Sequence, residues 1–175
     1  MENTQKPSSK IALHYGIILG IASILVSVIF FALNMHYDQD WKQGTLGGLI
    51  TIAIIFIGIK KYKEFNEGYL SVGDAIKTGL GIALIGGIIS VIYSLIFMNF
   101  IEPDFIANMM EKVEQMTIEK YPNFTDEQIE QALAMQKKFM SPMIMTAMSL
   151  IVSLFFGLII SLISGLILKK TKEQY

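Results

Sequence analysis

Residues 141–168 read SPMIMTAMSLIVSLFFGLIISLISGLIL, which is 28 positions without a charged side chain. A helix needs about 20 apolar residues to cross a hydrocarbon core ~30 Å thick, so this segment has length to spare. It also carries a small residue at every fourth place: Ser149, Ser153, Gly157, Ser161 and Gly165. Such ladders let two helix backbones approach closely, where dispersion and weak interhelical hydrogen bonds hold them. The ladder therefore predicts a packed seam, its partner helix lying in the same chain or in a second copy.

Three more stretches share this character. Residues 11–33 are uncharged for 23 positions, 44–59 for 16 and 78–101 for 24. The shortest gives only ~24 Å at 1.5 Å per residue. Starting it at Trp41, with Lys42 snorkelling outward, repairs the shortfall. Helices of a soluble core keep a polar stripe, and these lack one. The first apolar run also exceeds the 7–15 residues of a signal peptide, and no A-x-A-like site follows it. The expected fold is an all-α membrane protein with four transmembrane helices at about 11–33, 41–59, 78–101 and 141–168, within one integral membrane domain, 1–175. Gly16 and Gly20 in the first span, and Gly79, Ala83 and Gly87 in the third, extend the small-residue spacing. Aligning Gly16 with Gly79 also pairs Ser27-Val28-Ile29-Phe30 with Ser90-Val91-Ile92-Tyr93, as an old hairpin duplication would.

Composition agrees. Hydrophobic residues make up 53% and charged residues 17%, against about 25% charged in soluble domains; mean hydropathy is +0.52. The net charge is −1 and all 14 basic residues are Lys. A nucleic-acid partner is not expected, and bidentate clamping of phosphate, an Arg speciality, is excluded. Without Cys, disulfides and thiolate chemistry are excluded too. Nine Lys, including Lys6, Lys10 and Lys172, fall on the side of both termini and the 60–77 connection; five fall opposite. By the positive-inside rule both termini are cytoplasmic.

The segment 102–140 holds 8 acids and 4 Lys. Phe105, Met109, Val113 and Met116 recur at helical spacing. Tyr121-Pro122-Asn123 breaks the pattern. Thr125 and Gln128 then form a capping-box signal ahead of Ile129, Leu133, Met140 and, beside them, Phe139. Two amphipathic helices of about 17 and 15 residues are expected, as a periplasmic hairpin between spans three and four. Its apolar residues Phe105, Met109, Val113, Met116, Ile129, Leu133 and Phe139 are the candidate partner surface. The second helix is expected to run through Pro142 with a kink. At the other side, Ser71 followed by Asp74 resembles a capping box that starts the third helix early.

Chemistry is scarce. Eight of the 11 Met lie between Met109 and Met148, spread over helix faces rather than converging as copper ligands would; they read as packing or partner-contact residues. His14 and His36 stand roughly 33 Å apart along a helix and cannot share a metal. The pairs Asp38/Asp40 and Glu102/Asp104 offer oxygen to a divalent cation, though solvated loop acids are the plainer reading. Asn34, Tyr93 and Asn99 line a small polar pocket or bond neighbouring helices. No G-x-S-x-G, H-E-x-x-H or P-loop occurs, so neither enzyme activity nor a cofactor is expected. No charged residue lies deep in a span, which counts against an ion-coupled transporter.

The Lys-rich end of span two, GYLSVGDAIKTG at 68–79, and Pro103-Asp104-Phe105 resemble the bacterial family catalogued as domain of unknown function 4199, over about 10–170. The resemblance implies a small four-helix protein of the inner membrane of Gram-negative bacteria, with no activity or catalytic residues to carry over. Val72 departs from the aromatic expected there. The function expected is a non-enzymatic accessory or scaffold protein that packs with itself or a membrane-protein partner. The alternative is a subunit of an oligomeric transporter or channel, with Ser149, Ser153 and Ser161 as its polar stripe.

Overall fold

The computed structural model describes residues 7–37 and 41–171. Lys6, Asp38, Asp40 and Lys172 lie outside them. The chain runs α1 (Pro7–Ala32), α2 (Trp41–Phe65), α3 (Val72–Ile96), a π-helical turn (Phe97–Ile101), α4 (Phe105–Lys120), α5 (Asp126–Phe139) and α6 (Pro142–Leu168). Four of these, α1, α2, α3 and α6, are long and apolar enough to cross a membrane. The described fold is thus all-helical, with the four long helices expected.

Local sequence sets the helix starts. The Ser71 hydroxyl accepts the Asp74 amide at 3.1 Å and donates to the Asp74 carboxylate at 2.6 Å, so α3 begins six residues ahead of the apolar run. At α5, Thr125 Oγ1 accepts from the Gln128 amide and the Gln128 side chain accepts from the Thr125 amide, a complete capping box. The second span continues to Phe65 because Lys60, Lys61, Lys63 and Glu64 are good helix formers whose charges need only point outward.

One expectation fails. α5 does not run through Pro142; it ends at Phe139, and Ser141 caps a new helix with Pro142 in its first turn. Proline disfavours a helical conformation in the residue before it, and Ser141 is extended at φ −75°, ψ 142°. The ring has no N–H to lose at a first-turn position. Pro142 therefore begins a helix rather than kinking one.

α3 is the centre. α1 and α6 make their most extensive contacts with it, and α2 touches all three. The core is small: Ile55, Ile59, Ala75, Ile82 and Ala83 are fully shielded, with Leu70 almost so. The outside is as apolar as the inside, as Ile151, Phe155, Leu166 and Ile167 on α6 show. A water-soluble monomer rarely exposes so large an apolar surface; hydrocarbon is the solvent it suits. At one end, Gly68 takes the left-handed φ of +84° in the turn after α2. Leu70 then exchanges two backbone hydrogen bonds with Lys170, at 2.8 and 3.0 Å, tying this turn to the end of α6. At the other end hangs the α4–α5 hairpin.

Candidate functional site

The α6 ladder faces α3. A Cβ built on Gly157 would stand 2.5 Å from that of Ala83, and one on Gly165 would stand 2.8 Å from that of Ala75. Gly79 lies directly under Ser161, closer than any Cβ would permit. Ser153 Oγ donates across the seam to the Ala83 carbonyl at 3.2 Å, whereas Ser161 donates within its own helix to Gly157. Gly16 and Gly20 sit beneath Ile85 and Ile89 of α3, each 2.6 Å from a built Cβ. The structure thus finds the partner of both ladders inside this chain. Ser149 differs: it is exposed and donates to Thr146 of its own helix.

The hairpin end holds a polar and aromatic cluster. His36, from the turn after α1, places Nε2 3.1 Å from Glu102 Oε2, their side chains 10% and 17% exposed. The pair is close but off the hydrogen-bonding axis, so Oε2 and both ring nitrogens are buried without an aligned partner. Tyr37 donates its hydroxyl to Glu102 Oε1 and accepts from Asn108 Nδ2 at 3.0 Å. Phe105 stacks on Tyr37, centroids 5.6 Å apart, and meets Phe97 edge-on at 5.7 Å. Burial pushes the Tyr37 phenol above its ordinary value; the hydrogen bond to Glu102 adds to this, while that from Asn108 opposes it. Beside the cluster is a cavity of about 110 Å³, whose lining includes Ser27, His36, Gln43, Tyr93 and Ser94. Asn99 is committed to the Leu95 carbonyl of its own helix, and His14 meets Tyr15 edge-on at the opposite end.

The candidate partner surface divides. Phe105 (9% exposed) and Val113 (4%) are buried within the chain, which corrects their reading as open positions. Their stripe roots and packs the hairpin, because a short amphipathic helix is stabilised mainly by burying its apolar face. Met109, Ile129 and Leu133 are half-buried, while Met116 and Phe139 are exposed. α5 has no buried residue.

The family model described as "Protein of unknown function (DUF4199)" matches residues 14–170. The chain belongs to this family. Comparison with curated proteins and with solved structures gives no match. The match takes in the ladders, the hairpin and the hairpin-end cluster of this DUF4199 protein.

Three features escaped the sequence reading. The His36–Glu102 approach joins residues 66 positions apart; the signal was that both stand just past the ends of apolar spans at one end of the bundle. Ala75 lines the seam one rung before the ladder Gly79, Ala83, Gly87. Thr78 is wholly buried with its hydroxyl unpaired, and nothing in its neighbours marks it. Among the described residues, no group of three or more His, Asp or Glu is gathered to hold a metal ion.

Proposed function

We propose that this DUF4199 protein is a non-enzymatic accessory or scaffold protein of the bacterial inner membrane. Both termini face the cytoplasm and the hairpin faces the periplasm. The four spans form its platform, and the hairpin is its recognition element, used with a membrane-protein partner or with a second copy. One observation carries the reading: among the described residues the hairpin has no extensive packing against the long helices, being rooted through Phe105 and Asn108 on Phe97 and Tyr37, and it presents exposed apolar side chains at Met116, Tyr121 and Phe124. The Lys distribution supports the orientation.

Photo-crosslinkers at Met116 and Phe124, in native membranes, test the recognition role. A discrete adduct at these positions, absent from a lipid-facing control at Ile163, is expected. Capture of nothing beyond abundant lipoproteins would sink the reading. A reporter behind Tyr175 tests orientation and is expected to be active only in the cytoplasm.

The transporter or channel subunit is the second reading. It needs a polar stripe at a subunit seam, and Ser153 and Ser161 turn their hydroxyls to backbone carbonyls of this chain. Solute flux in liposomes separates the two.

A further inference from the structure

α5 carries two apolar stripes with different fates. Ile129 and Leu133 are half-covered. The second stripe, Ala132, Met135 and Phe139, is bare where it is largest: Met135 is 66% exposed and Phe139 64%. At 100° per residue, the second stripe lies roughly 100° around the helix from the first. Asp126, Glu127 and Glu130 centre roughly 160° from the bare stripe by the same arithmetic. The helix thus has a covered side, a greasy underside and an acidic top.

Its position fixes what the underside meets. Only Met140 and Ser141 separate α5 from α6, so Phe139 lies within a turn of the start of a membrane-length helix. Met143, in the first turn of α6, is 82% exposed as well. Trp41 at the start of α2 and Phe100 in the π-helical turn after α3, both at the hairpin end, are exposed too. Aromatic residues at this level are interfacial anchors. Lys137 and Lys138 occupy the last turn of α5, the end joined to the span, where phosphate headgroups sit. The acids occupy the far end and the opposite face.

We infer that α5 lies on the bilayer surface as an interfacial amphipathic helix, its Met135–Phe139 stripe set among the acyl-chain ends and its acidic face in water. The partner is a lipid surface. This rests on reading α6 as a span, and it orients the hairpin so that α4 and the 121–125 turn remain open to a protein.

The native chain has no Cys, so single-cysteine spin labels report cleanly. Met135→Cys, Phe139→Cys and Glu130→Cys are reconstituted as full chains in vesicles of mixed neutral and anionic phospholipid at low protein density. Labels at 135 and 139 are expected to collide with oxygen at least threefold more than with a water-soluble nickel chelate; the label at 130 is expected to show the reverse. If 135 and 139 are as open to the nickel reagent as 130, the inference is overturned. Protection that vanishes on dilution with lipid would make a second copy the occupant and overturn it equally. Protection seen only in native membranes would point to a protein instead. Those last two results leave the recognition role standing, whereas failed crosslinking at Met116 and Phe124 with shielded labels at 135 and 139 would remove that role alone.

Discussion

Gly157→Leu is the sharpest test of the α3–α6 seam. A Cβ at this position would stand 2.5 Å from the Cβ of Ala83. Ordinary carbon contact is about 3.5–4.0 Å, so even one methyl group must part the helices by ~1.0–1.5 Å at this rung. Leucine adds an isobutyl group directed at a surface made of small residues and backbone. Overpacking of this kind costs about 1–3 kcal/mol. Leucine's better helix propensity returns at most about 1 kcal/mol. Parting the helices also loosens the rungs at Ser161 and Gly165. A net loss of about 1–2 kcal/mol is expected. Two controls bracket it. Gly48→Leu meets nothing within 4 Å and is expected to be neutral or slightly stabilising. Ser149→Leu adds its bulk at an exposed position and is expected to be mild. The assay is denaturing-detergent titration of the purified protein in bicelles, followed by circular dichroism, with size-exclusion chromatography alongside. Should Gly157→Leu unfold within about 0.5 kcal/mol of wild type at unchanged size, the packing argument is wrong.

The hairpin root offers a second test: Glu102→Ala removes the acceptor of Tyr37 and the neighbour of His36. Hydrogen bonds to charged groups contribute about 1.5–3 kcal/mol, so amide exchange in the first turns of α4 is expected to quicken about tenfold or more, with α1 and α6 unchanged. Thr125→Ala breaks the capping box and is expected to lose about 1 kcal/mol of local α5 stability, read as faster exchange in its first turn only. High pH acts through Tyr37. Its folded-state value is raised, so its contribution is fully present below the unfolded phenol value of about 10. It is lost as pH climbs from there through the folded value. Phenolate absorbance should show a late-titrating phase that moves to lower pH in Glu102→Ala without becoming ordinary, because burial still raises Tyr37; a late phase unmoved by the substitution would refute this.

The spans were legible because lipid imposes a simple rule, long uncharged runs, that four segments obey. The caps at Ser71 and Thr125 were legible because they are contacts between residues three apart. Pro142 was misread: its chemistry forbids a helix interior but permits a helix start, and only the extended Ser141 decides between them. The α6 ladder announced a seam, but the identity of its partner depended on which backbone could come close, and that is fixed by α3 as much as by α6. The hairpin-end cluster was hidden because His36 and Glu102 meet through the folding of distant helix ends. Phe105 and Val113 looked like recognition residues because periodicity reports that a face is apolar, not what covers it.

α3 presents small residues on two sides, with Gly79, Ala83 and Gly87 beneath α6, and Gly81 and Gly86 beneath α1. It is wedged, and it cannot slide or turn without unseating both neighbours together. α2 is held differently. Its buried residues, Ile55, Gly58, Ile59 and Tyr62, all fall in its second half, while a Cβ added at Gly44, Gly47 or Gly48 would meet nothing within 4 Å. The first half of α2 is therefore the least tightly seated part of the bundle, beside three helices locked together along their small-residue faces.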